Sequence, residues 1–448
     1  MTRQNRQFFA NAPASAEGFP FESVLRPGDR ICFGQACSEP QSLLRELLNQ
    51  GERLHARFGR LKLFVFGSYS GLIKPEHAAW FDFEGYGAIG DTSALARAGL
   101  LDIYPVHYSA LPALLASTLR PDVMLLQLSR PDGAGQYSLG VACDFQLTAS
   151  RNARVVIAEV NAHAPFSPGA LLPDDVRIDH VVRSDLPLVE APRAARDDIS
   201  DRIASHVAGL IEDGATLQMG VGSVMDAVCR ALATHKDLGV HGGILTDGLA
   251  DLMRQGVVTN ARKGSHVGQS VVGSLLGTRH LFEFADNNAQ ISLAETHVTH
   301  SPESLARQLR LCSINSAVEV DLTGQVNAEM SGGRYIGAVG GQLDYLRAAA
   351  RSPGGASIVA LPSTARGGSV SRIVADLNGP VTTPRSDVGY VVTEWGVARL
   401  KDRPLADRVR AMIAIAHPDH RDALVERAGA FQRKAAPERA ASLTGHQS

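Results

Sequence analysis

Three glycine-bearing turns hold the residues best suited to chemistry. The first is Gly220-Val221-Gly222-Ser223-Val224, between an apolar stretch and an amphipathic one. Glycines let a ligand approach the backbone there, and the start of the following helix offers free N–H groups to an anion. The turn reads as a cradle for a phosphate or thioester, or as a bare strand-to-helix connection. No GK[ST] follows and the full GxGxxG spacing is absent, which argues against a P-loop and a dinucleotide fingerprint. The second turn, Ile336 to Gln342, sets Gly337, Gly340 and Gly341 ahead of the helical LDYLRAAA and could aim backbone donors at an oxyanion or a pantetheine amide. The third, residues 361–374, places Ser363, Thr364 and Arg366 beside a glycine pair, a set that can neutralise a phosphate or form an ordinary solvated loop. Histidines are numerous, yet no HExxH or comparable spacing occurs, so no metal is expected. GxSxG is also missing, which removes the usual serine nucleophile elbow.

The elements that must position these turns follow from hydrophobic periodicity. Residues 28–50 read as a buried strand (ICFG), a turn with Gly34 and Pro40, and the helix QSLLRELLNQ. Residues 213–234 repeat the arrangement, as if two α/β halves lay in tandem. Further apolar strands are expected at 62–67, 122–129, 154–161, 317–324, 356–362 and 388–394, alternating with helical stretches, which predicts parallel sheets. Pro165 to Pro192 shows little periodicity, so the boundary is placed near residue 190. That gives domains 1–190 and 191–448, with a polar tail from about 431.

Composition excludes several classes. The 448 residues carry 44 Lys and Arg against 46 Asp and Glu, a net charge of -2, so no positive field exists to hold nucleic acid or an anionic membrane. Small molecules or a second copy of the chain are the expected partners. Five scattered cysteines without a CxxC pair suit reduced thiols, and no signal-like or membrane-spanning apolar run occurs, so the expected location is cytoplasmic.

Several longer stretches resemble one family. AEVN (158–161), IEDGATLQMGVGSVMDAV (211–228), LGVHGGILTDGLADL (238–252), CSIN (312–315), GAVGGQLDYLR (337–347), VTTPRSDVGYVVTEWGVARLK (381–401) and IAIAHPDHRDAL (413–424) are similar to the acetyl-CoA hydrolase/transferase family, a branch of the class I CoA-transferases that includes 4-hydroxybutyrate CoA-transferase. The resemblance implies two similar open α/β domains with the site in the cleft between them, in a homodimer. It implies coenzyme A, bound as an acyl-CoA substrate, at Gly220 to Val224, Asn315 and Gly337 to Gly341. CoA transfer to a small carboxylate such as acetate or 4-hydroxybutyrate is the implied reaction.

That chemistry runs through a glutamate that becomes a glutamyl-CoA thioester. In the family pattern this residue lies two positions after a histidine. Here the segment reads Gly239-Val240-His241-Gly242-Gly243-Ile244, so Gly243 stands where the nucleophile is expected. Three readings follow. Another carboxylate, Glu76, Glu84, Glu159 or Glu394, replaces it and the protein remains a transferase. Alternatively, His241 or a glutamate serves as general base for hydrolysis or carbon–carbon cleavage of a CoA ester, as in the similar steroid-ring CoA-ester hydrolases that lack the glutamate. In the third reading the protein binds CoA esters without turnover.

Overall fold

The computed structural model describes Phe9 and residues 12–191 and 193–441. Seven strands, β1 (Arg30–Phe33), β2 (Leu61–Val65), β3 (Phe81–Gly85), β4 (Leu101–Ile103), β5 (Val123–Leu128), β6 (Val155–Asn161) and β7 (His180–Ser184), form a first sheet in the order β4-β3-β2-β1-β5-β6-β7. Every neighbouring pair is parallel. The second sheet takes β8 (Thr216–Met219), β9 (Gly239–Val240), β10 (Leu311–Asn315), β11 (Ala356–Ala360), β12 (Tyr390–Thr393) and β13 (Gly396–Arg399) in the order β13-β12-β11-β10-β8-β9. Its pairs are parallel except the terminal hairpin β12–β13. All six residues of β5 and all five of β10 are buried, as parallel strands covered on both faces must be.

Each sheet winds outward in both directions from its first strand. In the first, the chain runs β1 to β4 one way and then crosses to β5. In the second, it runs β8 to β9 and then crosses to β10. The crevice at such a reversal, beyond the carboxyl ends of the strands, is where open α/β sheets hold ligands. After β1 the chain passes through the turn Gly34–Pro40 into helix α1 (Gln41–Asn49), which buries Leu43, Leu44, Leu47 and Leu48. Helix α2 (Asp198–Ala208) opens on Asp197, whose carboxylate accepts the Ser200 N–H at 2.8 Å, a cap that fixes its start. Helices α3 (Ser223–Ala231) and α4 (Gln342–Arg351) begin at the two glycine turns singled out above.

The two halves share one core. The largest apolar cluster runs from Phe9 through Met124 and Leu217 to Val392, so burial continues across the join. The chain leaves the first sheet at Ser184 and enters the second at Thr216, with Pro192 outside the described residues.

Three local expectations are corrected. The segment 317–324 yields only a three-residue strand, Glu319–Asp321, in a small separate sheet. The stretch 75–86, which with Pro75, Trp80, Phe81, Phe83 and Tyr86 reads as a solvated surface loop or as the wall of an acyl pocket, is no solvated loop: after a turn at Pro75–Ala79 it becomes β3, burying Phe81 and Phe83. A helix, Pro418–Ala441, carries the chain through the expected tail, and 442–448 lie outside the described residues. All five cysteines are buried and unpaired, and among the described residues no helix is long and apolar enough to cross a membrane.

Candidate active site

A cavity of about 480 Å³ opens where the two crevices face each other. The first half lines it with Gln35 and Ala36 beyond β1, Tyr69 beyond β2, Tyr86 beyond β3 and Tyr108 beyond β4. From the second half come Gln218 to Val221 at the end of β8, Gly243 beyond β9, Asn315 ending β10, and the loop Ile336 to Gln342. A larger depression of about 610 Å³ lies at the far end of α4 between Arg347 and Arg408, but none of the glycine turns reaches it.

The loop before α4 is bonded to the first half. Gly337 O accepts the Ala88 N–H and Gly340 O the Tyr108 N–H, both at 2.9 Å. No side chain would fit here, since a Cβ on Gly337 would stand 2.2 Å from Ala328 O and one on Gly87 2.4 Å from the Ala338 methyl. Helices α3 and α4 have glycine N-caps, Gly222 and Gly341, and no side chain caps either start. Their first N–H groups are therefore open donors beside the cavity, where the helix dipole favours negative charge. Gly222 has φ 114°, a conformation that suits glycine. Gly220 and Val221 line the cavity, whereas Gly222, Ser223 and Val224 stand just behind as the start of α3. The Asn315 amide is fixed by Gln218, whose Oε1 accepts from Asn315 Nδ2 at 2.9 Å and from the Ser313 hydroxyl at 2.6 Å. Asn315 thus faces the cavity in one orientation.

Among the described residues, no aspartate or glutamate lines this cavity. Glu76 projects from the surface, its side chain 64% exposed and 4.0 Å from Lys74. Glu84 is bound to Arg30 at 2.7 Å and to Lys62 at 3.4 Å. Burial would raise its pKa, but the Arg30 hydrogen bond and charge outweigh this and hold it low. Glu159 accepts the Leu43 N–H at 3.0 Å and anchors the start of α1. Glu394 accepts both the N–H and the hydroxyl of Ser363. Arg366 is exposed on the hairpin after β11, away from the cavity.

Gly243 sits on the cavity floor, and the space above it is taken by a residue the sequence did not single out. A Cβ built on Gly243 would meet His300 Cε1 at 3.2 Å and Nε2 at 3.3 Å, and one on Gly341 would meet Nε2 at 2.7 Å. The His300 ring lies between Tyr108 and Tyr345, each with centroids 4.7 Å away, and Nδ1 stands 2.8 Å from Thr299 Oγ1. Burial, with a smaller contribution from His241, lowers its pKa to about 3, so the ring is neutral. His241 lies behind this surface. Its Nε2 is 3.2 Å from Val298 O, and burial plus the nearby Lys263 ammonium lower its pKa to about 3. It does not line the cavity.

Two further carboxylates stand behind the first-half wall. Asp144 accepts from Gln35 Nε2 at 2.6 Å, Phe145 N at 2.7 Å and the Tyr108 hydroxyl at 3.3 Å, and burial raises its pKa to about 6. Glu39 accepts from Ser68, Tyr69 and Ser70, and burial pushes it to about 7. They hold Gln35, Tyr108 and Tyr69, the residues that face the ligand space. Neither carried a local sequence signal. The described residues contain no cluster of ligating side chains that could hold a metal.

Comparison with known proteins matches this architecture. Residues 16–180 match the acetyl-CoA hydrolase/transferase N-terminal domain and residues 277–428 the C-terminal domain of the same name. The chain is 38% identical to 4-hydroxybutyrate coenzyme A transferase of Clostridium kluyveri over 90% of its own length and 94% of that protein. It is 33% identical to succinyl-CoA:cyclohexane-1-carboxylate CoA transferase of Geobacter metallireducens, covering 92% and 94%. The crystal structure of RipA from Yersinia pestis superposes with a TM-score of 0.89 at 33% identity, covering 95% of this chain and 99% of that one. With both domains matched in order along one chain, the protein belongs to the acetyl-CoA hydrolase/transferase family and is an enzyme of that class.

Proposed function

We propose that the protein binds an acyl-CoA in the cleft between its halves and breaks the thioester without forming a glutamyl-CoA intermediate. The acyl acceptor then arrives from solution, as water or as a small carboxylate. The observation that carries this is the cavity lining: among the described residues it contains no carboxylate, and Gly243 occupies the floor. A covalent route needs a side-chain nucleophile within reach of the thioester carbonyl. The four glutamates that could have replaced it are exposed or engaged elsewhere. Uncapped helix starts and the Asn315 amide supply what remains necessary, donors for the developing oxyanion and for pantetheine.

CoA transfer to a carboxylate is favoured as a second reading by the named activities of the relatives. It would require the acceptor itself to attack, with donor and acceptor bound together, giving sequential rather than ping-pong kinetics. Intact-mass spectrometry after incubation with acetyl-, butyryl- and succinyl-CoA, followed by borohydride, tests the core of the proposal. The expected result is consumption of at least one thioester and no reducible protein adduct. A trapped adduct on any glutamate or aspartate overturns it. Adding acetate or 4-hydroxybutyrate to the same assay separates the two acceptors: a new thioester marks transfer, free CoA thiol marks hydrolysis.

A further inference from the structure

We infer that His300 is the general base of this site and that the acceptor it activates is water. The inference rests on the reading above, that the thioester is opened without an enzyme carboxylate, and it names the residue that stands in the vacated place. Four observations converge on it. Among the described residues that line the cavity, His300 is the sole one with an ionisable group other than the buried tyrosines. The ring stands against Gly341, where a Cβ would lie 2.7 Å from Nε2 and the ring would have to shift, and close over Gly243, where a Cβ would fit only tightly at 3.2 Å from Cε1. Tyr108 and Tyr345 pack against the ring at tilted angles, and the Tyr345 hydroxyl, donating to Thr299 O at 2.9 Å, holds the backbone that carries it. Finally, the two ring nitrogens have different surroundings: Nδ1 faces Thr299 Oγ1 at 2.8 Å, while Nε2 is turned toward the two glycines and the cavity.

The Thr299 contact fits either tautomer, and the base role uses one of them. With Nδ1–H donating to the Thr299 hydroxyl oxygen, Nε2 keeps its lone pair and faces the ligand space. The threonine proton then points toward the carbonyls of Glu295 and Thr296, each 3.5 Å away. Burial makes the free ring a weak base, so Nε2 takes the proton of a water placed between it and the thioester carbonyl only as negative charge develops on that carbonyl. That charge then stands beside the imidazolium and stabilises it. The water oxygen bonds to the carbonyl carbon as Nε2 takes its proton. Negative charge moves to the carbonyl oxygen, held by the backbone N–H groups at the helix starts. Collapse breaks the C–S bond, and the departing thiolate takes the proton from Nε2. The products are a carboxylic acid and CoA thiol, and His300 returns to its starting form with no other reactant used. The place that a nucleophilic glutamate would fill is thus held by a base, and the same floor supports hydrolysis.

The test compares the full-length protein with His300→Asn and His300→Gln. Release of CoA thiol from acetyl-, butyryl- and succinyl-CoA is followed alongside affinity for free CoA by calorimetry. Expected is a fall in kcat of at least ~100-fold in both variants, the usual scale of a general base, with CoA affinity changed less than about threefold. A second measurement does not depend on turnover or on the variants folding. Diethylpyrocarbonate entering the cavity should modify His300, which is only 4% exposed but lines it, in the wild-type protein, located by peptide mass mapping, and saturating CoA should block that modification while His241, which does not line the cavity, stays unmodified with or without it.

Hydrolysis that continues unchanged in His300→Asn overturns the assignment and leaves the carboxylate-free reading intact. Modification of His300 unaffected by CoA also overturns it, since the ring would then not face the ligand. If the wild type consumes no thioester while CoA still protects His300, the hydrolytic reading itself falls and the base falls with it. A trapped glutamyl adduct overturns the carboxylate-free reading directly. The outcomes therefore separate failure of His300 from failure of the underlying proposal.

Discussion

The wall that the first half gives the cavity is marked by side chains, Gln35, Tyr69, Tyr86 and Tyr108, whereas the second half adds two stretches of glycine-rich backbone, Gly220–Val221 and the Gly337 to Gly341 loop, to its Gln218, Asn315, His300 and Tyr345 side chains. The materials suit different parts of one ligand. Backbone donors at helix starts hold a group common to every acyl-CoA, because they recognise charge and carbonyl geometry and are indifferent to the acyl chain. Aromatic and amide side chains shape the volume in which acyl groups differ. Under the proposed reading this division would give CoA recognition to the second half and acyl selection to the first.

The largest expected effect comes from breaking the backbone wall. Gly337→Val would drive a branched side chain into Ala328 O, 2.2 Å from the Cβ position, in a loop whose carbonyl also accepts the Ala88 N–H. Because the obstacle is backbone, the loop must move and the join between halves must open. A loss of about 3 kcal/mol is expected, the upper range for overpacking, together with loss of CoA binding. Denaturant unfolding and calorimetry with CoA check both. A variant of wild-type stability that binds CoA normally would show that the loop is not a rigid part of the wall.

The second effect lies behind the side-chain wall. Asp144 has its pKa raised by burial from an ordinary 3.8 to about 6, so between those values the folded protein holds a proton that the unfolded chain has released. Its favourable contribution is fully present below about pH 4 and is lost as pH rises through about 6. Asp144→Asn, which never ionises, should therefore be more stable than wild type above pH 6, by up to ~3 kcal/mol, with the gap closing toward pH 4. His241 and His300, with pKa values lowered by burial, give the opposite slope, stability being lost as pH falls below about 6.5. Both histidines are present in either protein, so the difference in Tm against pH isolates Asp144. A gap independent of pH would show that the carboxylate is not titrating there.

The two walls were not equally legible in the sequence. Glycines at 220, 222, 337, 340 and 341 announce themselves, because only a close approach or an unusual φ explains such runs between a strand and a helix. Side chains of the first-half wall come from four separate loops: the aromatic run Trp80, Phe81, Phe83 and Tyr86 reads as the wall of an acyl pocket, of which Tyr86 alone lines the cavity, and nothing local marks Tyr69 or Tyr108. Strand β3 was hidden by its charges. Asp82 and Glu84 give FDFEG the look of a surface loop, and Glu84 is tolerated because Arg30, on β1, crosses β2 to pair with it. His300 was invisible for the same reason: THVTHSPES has no periodicity, and the residues that define its role, Gly243, Gly341, Tyr108 and Tyr345, converge from four distant segments. Composition and spacing report local structure well, while a site assembled across two sheets is written in pairings of distant loops.

The smallest expected effect sharpens the division of labour most. Arg366, beside a glycine pair, is the kind of residue that sequence alone assigns to a phosphate. In the structure it is exposed on the hairpin between Thr364–Ala365 and Val370–Ser371, outside the cavity lining, with a φ of 51° set by the turn. An exposed guanidinium near a bound anion gains little, since solvent and salt screen it, and 0–1 kcal/mol is the usual range. If backbone donors at α3 and α4 hold CoA, Arg366→Ala should change its affinity less than about threefold at 0.15 M salt, measured by calorimetry against dephospho-CoA as a control. A larger loss that disappears with dephospho-CoA would place the 3′-phosphate at this hairpin. CoA recognition would then extend past the glycine loops and Asn315 to a charged side chain outside the cavity.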